Sequence, residues 1–403
     1  MRTLVAFEEA RRIVLDAARV AASEAVPLDE AVGRMLAAPV VSRGDLPPFD
    51  TSAMDGWAIR LGDVRDLPAS MPVEGTVHAG ETPSAPLVPG TAIAVMTGAP
   101  LPDGTEAVAP VEWGEVADGR VVLSRAPEAG QFLRRRGEAL RAGETVVDTG
   151  AVVTPGAVGL LASLGCAAVT VRQRPRVAVV ATGDELVEVG DTPGPGQIRN
   201  ANGPGLAAQV IAAGGVVVGP LVARDTAASV SATFDACAEA DVLVFAGGVS
   251  MGERDLVRTE LERRGVAWAF WRVAQRPGKP LAFGTLGDRP VVGLPGNPVS
   301  AAVCFEVYVR PLLAACLGHP EPLPRPEAAR LEASIPKAAG LHTFARVAAR
   351  RDAEGALRLR PAGAPGSHVA RSLLDADGLA HLPAAWDDAE AGAEVAFERW
   401  AWG

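Results

Sequence analysis

Apolar residues change their spacing several times along this chain. Phe7, Ala10, Val14 and Ala17 recur at helical intervals, which predicts one or two helices over residues 1 to about 44. Pro27-Leu28-Asp29-Glu30-Ala31-Val32-Gly33 reads as a break followed by a short helix. From residue 45 to 142 the helical period is lost. Gly and Pro become frequent, and short β-like runs such as Thr91–Met96 and Gly119–Leu123 take over, predicting a small β-rich domain. Residues 143–172 return to a helix, Pro155–Leu164 closed by Gly165, and a strand at Ala168–Val171. Packed with the N-terminal helices, they form a helical, mixed unit into which residues 45–142 are inserted.

The pattern is clearest over residues 173–325. Apolar β-branched runs at Arg176–Ala181, Val216–Leu221, Val242–Ala246 and Val266–Trp271 alternate with helices at Gly203–Ala213, Ala227–Ala240 and Glu253–Arg264. Strands alternating with helices predict a doubly wound parallel α/β sheet covered on both faces. Residues 326–403 are again β-rich, with strands expected at Ala329–Ile335, Thr343–Ala349 and Ala356–Arg360, as in a small terminal barrel. The fold class is therefore multidomain α/β, and a chain of 403 residues has room for roughly two to four domains.

Charge narrows the function. The net charge of -10 argues against broad nucleic-acid binding. No apolar run is expected to cross a membrane, and the four cysteines form no C-x-x-C pair. A cytoplasmic protein with buried free thiols is expected. Only two of the 38 basic residues, Lys279 and Lys337, are lysines. Lys279 lies in Arg276-Pro277-Gly278-Lys279-Pro280, shortly before Gly293-Leu294-Pro295-Gly296-Asn297-Pro298-Val299-Ser300. A compact amine beside a rigid turn that opens an apolar helix suits a small anion, although two ordinary loops would read the same way.

Every unusual loop of the α/β region follows a strand, where ligands of such sheets bind. Thr182-Gly183-Asp184-Glu185, Arg224-Asp225 and Gly247-Gly248-Val249-Ser250 through Asp255 bring acids from three loops. Converging carboxylates invite a hard divalent cation. Helix capping, which Asp favours, is the alternative.

Together DTSAMDGWA, MTGA, TGDEL, RD, GGVSMGERD, RPGKP and GLPGNPVS, in this order over residues 50–300, strongly resemble the molybdopterin molybdenumtransferases, the bacterial MoeA family related to the gephyrin E-domain. The resemblance implies a cytoplasmic homodimer that inserts molybdenum from molybdate into adenylylated molybdopterin with release of AMP, using Mg2+. It implies cation and catalytic roles for Glu185, Asp225 and Asp255, and a basic wall of Arg272, Arg276 and Lys279. Pro295 and Pro298 correspond to the rigid turn, and Ser300 to a hydroxyl for the oxyanion. Asp55 and Thr97 match β-domain motifs that face the cleft from the partner subunit. Thr182, Gly183, Asp184, Gly247, Gly248, Ser250 and Asn297 are implied as pterin-binding positions. Further implied partners are the molybdopterin adenylyltransferase and molybdoenzyme maturation proteins, with no nucleic acid and no membrane.

Four positions depart from the family pattern: Arg272 and Arg276 where bacterial members often have Lys, Trp57 where Tyr is usual, and Thr226 in place of a second acid. The competing readings are the adenylyltransferase itself, a tungsten-inserting paralogue and a gephyrin-like scaffold without chemistry.

Overall fold

Seven strands form the main sheet: β1 (Arg2–Val5), β2 (Arg176–Thr182), β3 (Val216–Ala223), β4 (Val242–Ala246), β5 (Ala267–Val273), β6 (Ala282–Leu286) and β7 (Arg289–Leu294). The computed structural model describes residues 2–248, 256–363, 366 and 369–402. The strand order is β1-β5-β6-β7-β4-β2-β3. Successive residues of the central strands enter different cores. Val177 and Val179 of β2 pack with Leu206, Val210 and Val303. Ala178 and Val180 pack with Val230, Phe234 and Leu261 on the other face. Burial on both faces is why these strands are unbroken apolar runs rather than alternating ones.

The sheet is not wholly parallel, contrary to the expectation. β6 runs antiparallel to both β5 and β7. Only Gly287 and Asp288 join β6 to β7, and a connection that short can only reverse the chain.

Residues 1–44 also differ from the expected helices. Arg2–Val5 is a strand that pairs in parallel with β5, and only Phe7–Asp16 is a regular helix. The helix buries Phe7, Ala10 and Val14 in the α/β core, so this segment belongs to that domain and not to the helical, mixed unit. The segment Ser23–Pro27 pairs instead with Ala168–Arg172, and Val26, Leu28 and Leu36 share a core with Leu161 and Val171. The intervening residues form a six-stranded sheet that includes Gly56–Ile59 and Ala92–Val95.

The helical stretch Pro298–Cys316 does have the length and apolar composition of a bilayer span, which the sequence reading denied, but 78% of it is buried inside the protein. It is the core helix against which both β7 and the N-terminal helix pack. At the C-terminus, five strands close on themselves in the order His342–Arg351, Leu357–Pro361, Glu327–Leu331, Glu394–Arg399 and Gly378–Leu382, the last pairing back to the first. The short strand Gln275–Arg276 pairs with His342–Thr343 and ties this barrel to the α/β domain.

His342 at that seam is a pH-sensitive element. Its ring lies 4.5 Å from Phe7, 4.8 Å from Phe344 and 5.5 Å from His381. Burial, then the neighbouring His381, hold its pKa down at about 3. An unfolded His protonates near 6.5, so the unfolded chain gains a proton first and stability falls as pH drops from about 6.5 toward 3. Going from pH 7 to pH 5 should remove about 2 kcal/mol at this residue. His342→Leu should flatten that fall in urea titrations at the two pH values; an equally steep fall would place the sensitivity elsewhere.

Candidate active site

The C-terminal ends of β7, β4, β2 and β3 are level: Leu294 is opposite Ala246, Ala246 opposite Ala181, and Thr182 opposite Ala223. The chain passes from β2 to β3 on one side and then to β4 on the other. The strand order therefore reverses between β2 and β4, and the crevice beyond such a reversal is where open α/β sheets bind ligands. The described parts of the loops after these four strands meet there.

Gly247 and Gly248, at φ +92° and +61°, carry the chain over Thr182. A Cβ on Gly247 would lie 2.8 Å from the Thr182 carbonyl oxygen, and one on Gly248 2.4 Å from Val257 Cγ2. No side chain fits at either position. Thr182 Oγ1 is buried beneath them with no hydrogen-bond partner among the described residues. Gly296 approaches from the β7 loop, its Cβ position 3.5 Å from Gly247 Cα. Asn202 holds that loop by donating from Nδ2 to the Gly296 carbonyl at 2.8 Å.

The acids are held by Arg224. Its Nη1 donates to the carbonyls of Asp184 at 3.0 Å and Leu186 at 2.8 Å, which locks the loop after β2 to the loop after β3. Asp184 Oδ1 accepts the Asp225 backbone N–H at 3.0 Å. Capping of the next helix falls to Thr226, whose Oγ1 accepts from Ser229 N. Asp225 is therefore not a helix cap, and its carboxylate is left for other work. Partial burial, then the charge of Asp184 and more weakly that of Glu185, raise its pKa above the usual carboxylate range. The Glu185 carboxylate folds back over Gly183. Among the described residues no three His, Cys, Asp or Glu side chains converge as a metal cage. Asp255 and Ser250 lie outside the described residues.

The basic residues face a second space. A cleft of about 740 Å³ opens between the α/β domain and the barrel. Arg276 and Lys279 line it together with Pro295, Asn297 and Ser300. The 295–297 turn is thus shared between the acidic crevice and the basic cleft. Pro298 opens the core helix, while Arg272 is absent from the cleft wall and its N–H donates to the Leu281 carbonyl at 2.8 Å. The barrel adds Thr343 and Arg346, which sequence reasoning missed. Arg346 is itself fixed, its Nε donating to Ser372 Oγ at 2.7 Å, and burial lowers its pKa. Gln275, Arg224 and Asn202 were missed as well. Only Arg224 gave a signal, as the neighbour of Asp225.

Asp55 and Thr97 meet each other in the β-rich domain. Asp55 Oδ1 accepts from Thr97 N at 2.6 Å and from Thr97 Oγ1 at 2.7 Å. These two bonds, the backbone one first, lower the Asp55 pKa.

The chain matches three family models: the MoeA N-terminal region (domain I and II) over residues 5–165, a probable molybdopterin binding domain over 178–315, and the MoeA C-terminal region (domain IV) over 328–400. It is 38% identical to molybdopterin molybdenumtransferase 2 of Mycobacterium tuberculosis over 93% of this chain and 95% of that protein. It is 35% identical to the molybdopterin molybdenumtransferase of Haemophilus influenzae, over 93% of both chains. Two solved structures of the molybdopterin biosynthesis MoeA protein from Pyrococcus horikoshii superpose with TM-scores of 0.85, at 31% and 28% identity, covering 98% of this chain and 100% of theirs. The ordered motifs, the closed barrel behind the basic cleft and these full-length similarities make the chain a member of the molybdopterin molybdenumtransferase (MoeA) family.

Proposed function

We propose that this protein inserts molybdenum from molybdate into adenylylated molybdopterin, releasing AMP and forming molybdenum cofactor. The observation that carries this reading is the shared 295–297 turn, with an acidic crevice on one side and a cleft lined by Arg276, Lys279 and Arg346 on the other. Molybdate and the phosphate-bearing pterin are both anions, so each needs cationic surroundings to approach the other. Two unit charges ~4 Å apart interact by ~4 kcal/mol at an effective dielectric of ~20, enough to govern binding. In this reading Lys279, Arg276, Arg346 and Ser300 receive the oxyanion, and the Gly247-Gly248 backbone and Thr182 receive the pterin phosphate. Glu185 and Asp225 act at the phosphoanhydride, whose cleavage depends mainly on positioning and charge stabilisation.

Mg2+ fits the donor set. Glu185 and Asp225 are hard oxygen ligands at adjacent strand ends, and Mg2+ commonly takes one or two carboxylates and completes its shell with phosphate oxygens and water. When bound, it would neutralise phosphate charge. Asp55 and Thr97 would be supplied by a second copy of the chain, making the working unit a cytoplasmic homodimer. A molybdopterin adenylyltransferase would deliver the substrate, and maturation proteins would take the product.

The test is AMP release from adenylylated molybdopterin by the purified protein with Mg2+, titrating molybdate and tungstate separately. Release should rise with molybdate and stop on chelation of the divalent cation. Tight pterin binding with no release under any oxyanion would leave a scaffold instead of an enzyme.

A further inference from the structure

Beneath the Lys279 loop lies a buried polar brace. Gln275 is fully buried, and its Nε2 donates to the carbonyls of Pro277 and Gly278, each at 3.3 Å. Its Oε1 accepts from the hydroxyl of Tyr308, the single tyrosine of the chain and also fully buried. Gly278, at φ +89°, sits so close over Cys304 that a Cβ would lie 2.2 Å from Sγ. Tyr308 and Cys304 belong to the same helical stretch as Ser300. Tyr308 lies in its one π-helical turn among the described residues, Phe305–Val309, a distortion frequent at functional sites.

We propose that Tyr308 and Gln275 are positioning residues that set Lys279 against Ser300 for oxyanion binding. The brace fixes both ends of the pair: the loop through two carbonyls, and the helix through the hydroxyl. Losing the hydroxyl leaves the Gln275 oxygen buried and unsatisfied, and such groups are costly. The loop then relieves the cost by moving, and Lys279 moves with it. This inference rests on the oxyanion reading of the cleft.

Because the chain has two lysines, amine acylation followed by mass spectrometry reads Lys279 directly, with Lys337 as internal reference. In the wild type, molybdate should slow acylation of Lys279 and leave Lys337 unchanged. In Tyr308→Phe, the molybdate concentration giving half-protection should rise about tenfold, while affinity for adenylylated molybdopterin stays as in the wild type. Gln275→Met is the second variant, with the same expected shift. Equal half-protection in the wild type and in whichever variant folds would overturn the positioning role alone. An absence of protection in the wild type would overturn the oxyanion reading and the inference with it.

Discussion

Asp225→Ala should fold as well as the wild type and bind adenylylated molybdopterin, yet release AMP at least about 100-fold more slowly, the scale of losing one electrostatic contact at a transition state. The expectation follows from what Asp225 does in the fold, which is little. Its backbone N–H is held by Asp184, and alanine keeps that bond. The neighbouring helix is capped by Thr226. The residue is exposed, but its carboxylate is partly desolvated in the crevice and repelled by Asp184 and Glu185, so removing it relieves unfavourable charge. A group kept where it disfavours the empty site is best explained by what the site binds. Asp225→Asn separates charge from shape. If charge matters, it should fall nearly as far as the alanine variant. Urea unfolding would report the stability and an AMP assay the rate. Wild-type turnover in Asp225→Ala would remove this residue from the mechanism, while a large loss of stability would recast it as structural.

Much of this site was legible in the sequence because strand ends are punctuated. β2 and β4 read as strands since both faces are buried, and each is followed at once by Gly-containing polar loops. The alternation of strand and helix then placed Glu185, Asp225, Gly247 and Gly248 at one edge. The sequence could not say whether Asp225 or Thr226 caps the helix, because both residue types cap well; the hydrogen bond to Ser229 decides it. β1 stayed hidden for a different reason. It is four residues long, mostly exposed, and Arg2 pairs with Phe270, a residue remote in the sequence. Gln275 and Tyr308 carried no local signal at all, since their bond spans 33 positions. Arg346 was hidden likewise, because its place in the cleft depends on the barrel closing. The last barrel strands, Gly378–Leu382 and Glu394–Arg399, are only 5 and 6 residues long, too short to establish a period.

Truncating Arg310 should carry the largest stability cost, about 3–5 kcal/mol for Arg310→Ala. Arg310 lies in the core helix and bridges two carboxylates, donating from Nε to Glu306 at 2.9 Å and from Nη2 to Glu398 at 2.7 Å. Glu306 and Glu398 are 2% and 5% exposed, so neither can turn to water for solvation. Gln209 donates to Glu306 and His381 faces Glu398, each at 3.2 Å, but neither is a fixed positive charge. Without the guanidinium, two negative charges are buried together. The pH dependence has a definite sign. Burial already raises the Glu306 pKa, and Arg310 opposes that rise. Its loss raises the folded-state value further, so stability is retained at low pH and lost as pH climbs through that value. The deficit of Arg310→Ala should therefore be larger at pH 8 than at pH 5.5. Arg310→Met combined with Glu306→Gln and Glu398→Gln should recover most of it, since a neutral network avoids the buried charge. Denaturant midpoints at the two pH values test both statements; a deficit below about 1 kcal/mol, the ordinary surface range, would show that the bridge is not needed. Function should follow stability here. The bridge joins the helix that carries Ser300 to the barrel that carries Arg346, so both walls of the basic cleft depend on it. Arg310→Ala should accordingly need more molybdate for half-maximal AMP release even well below its unfolding temperature, and the neutral triple variant should restore the wild-type requirement.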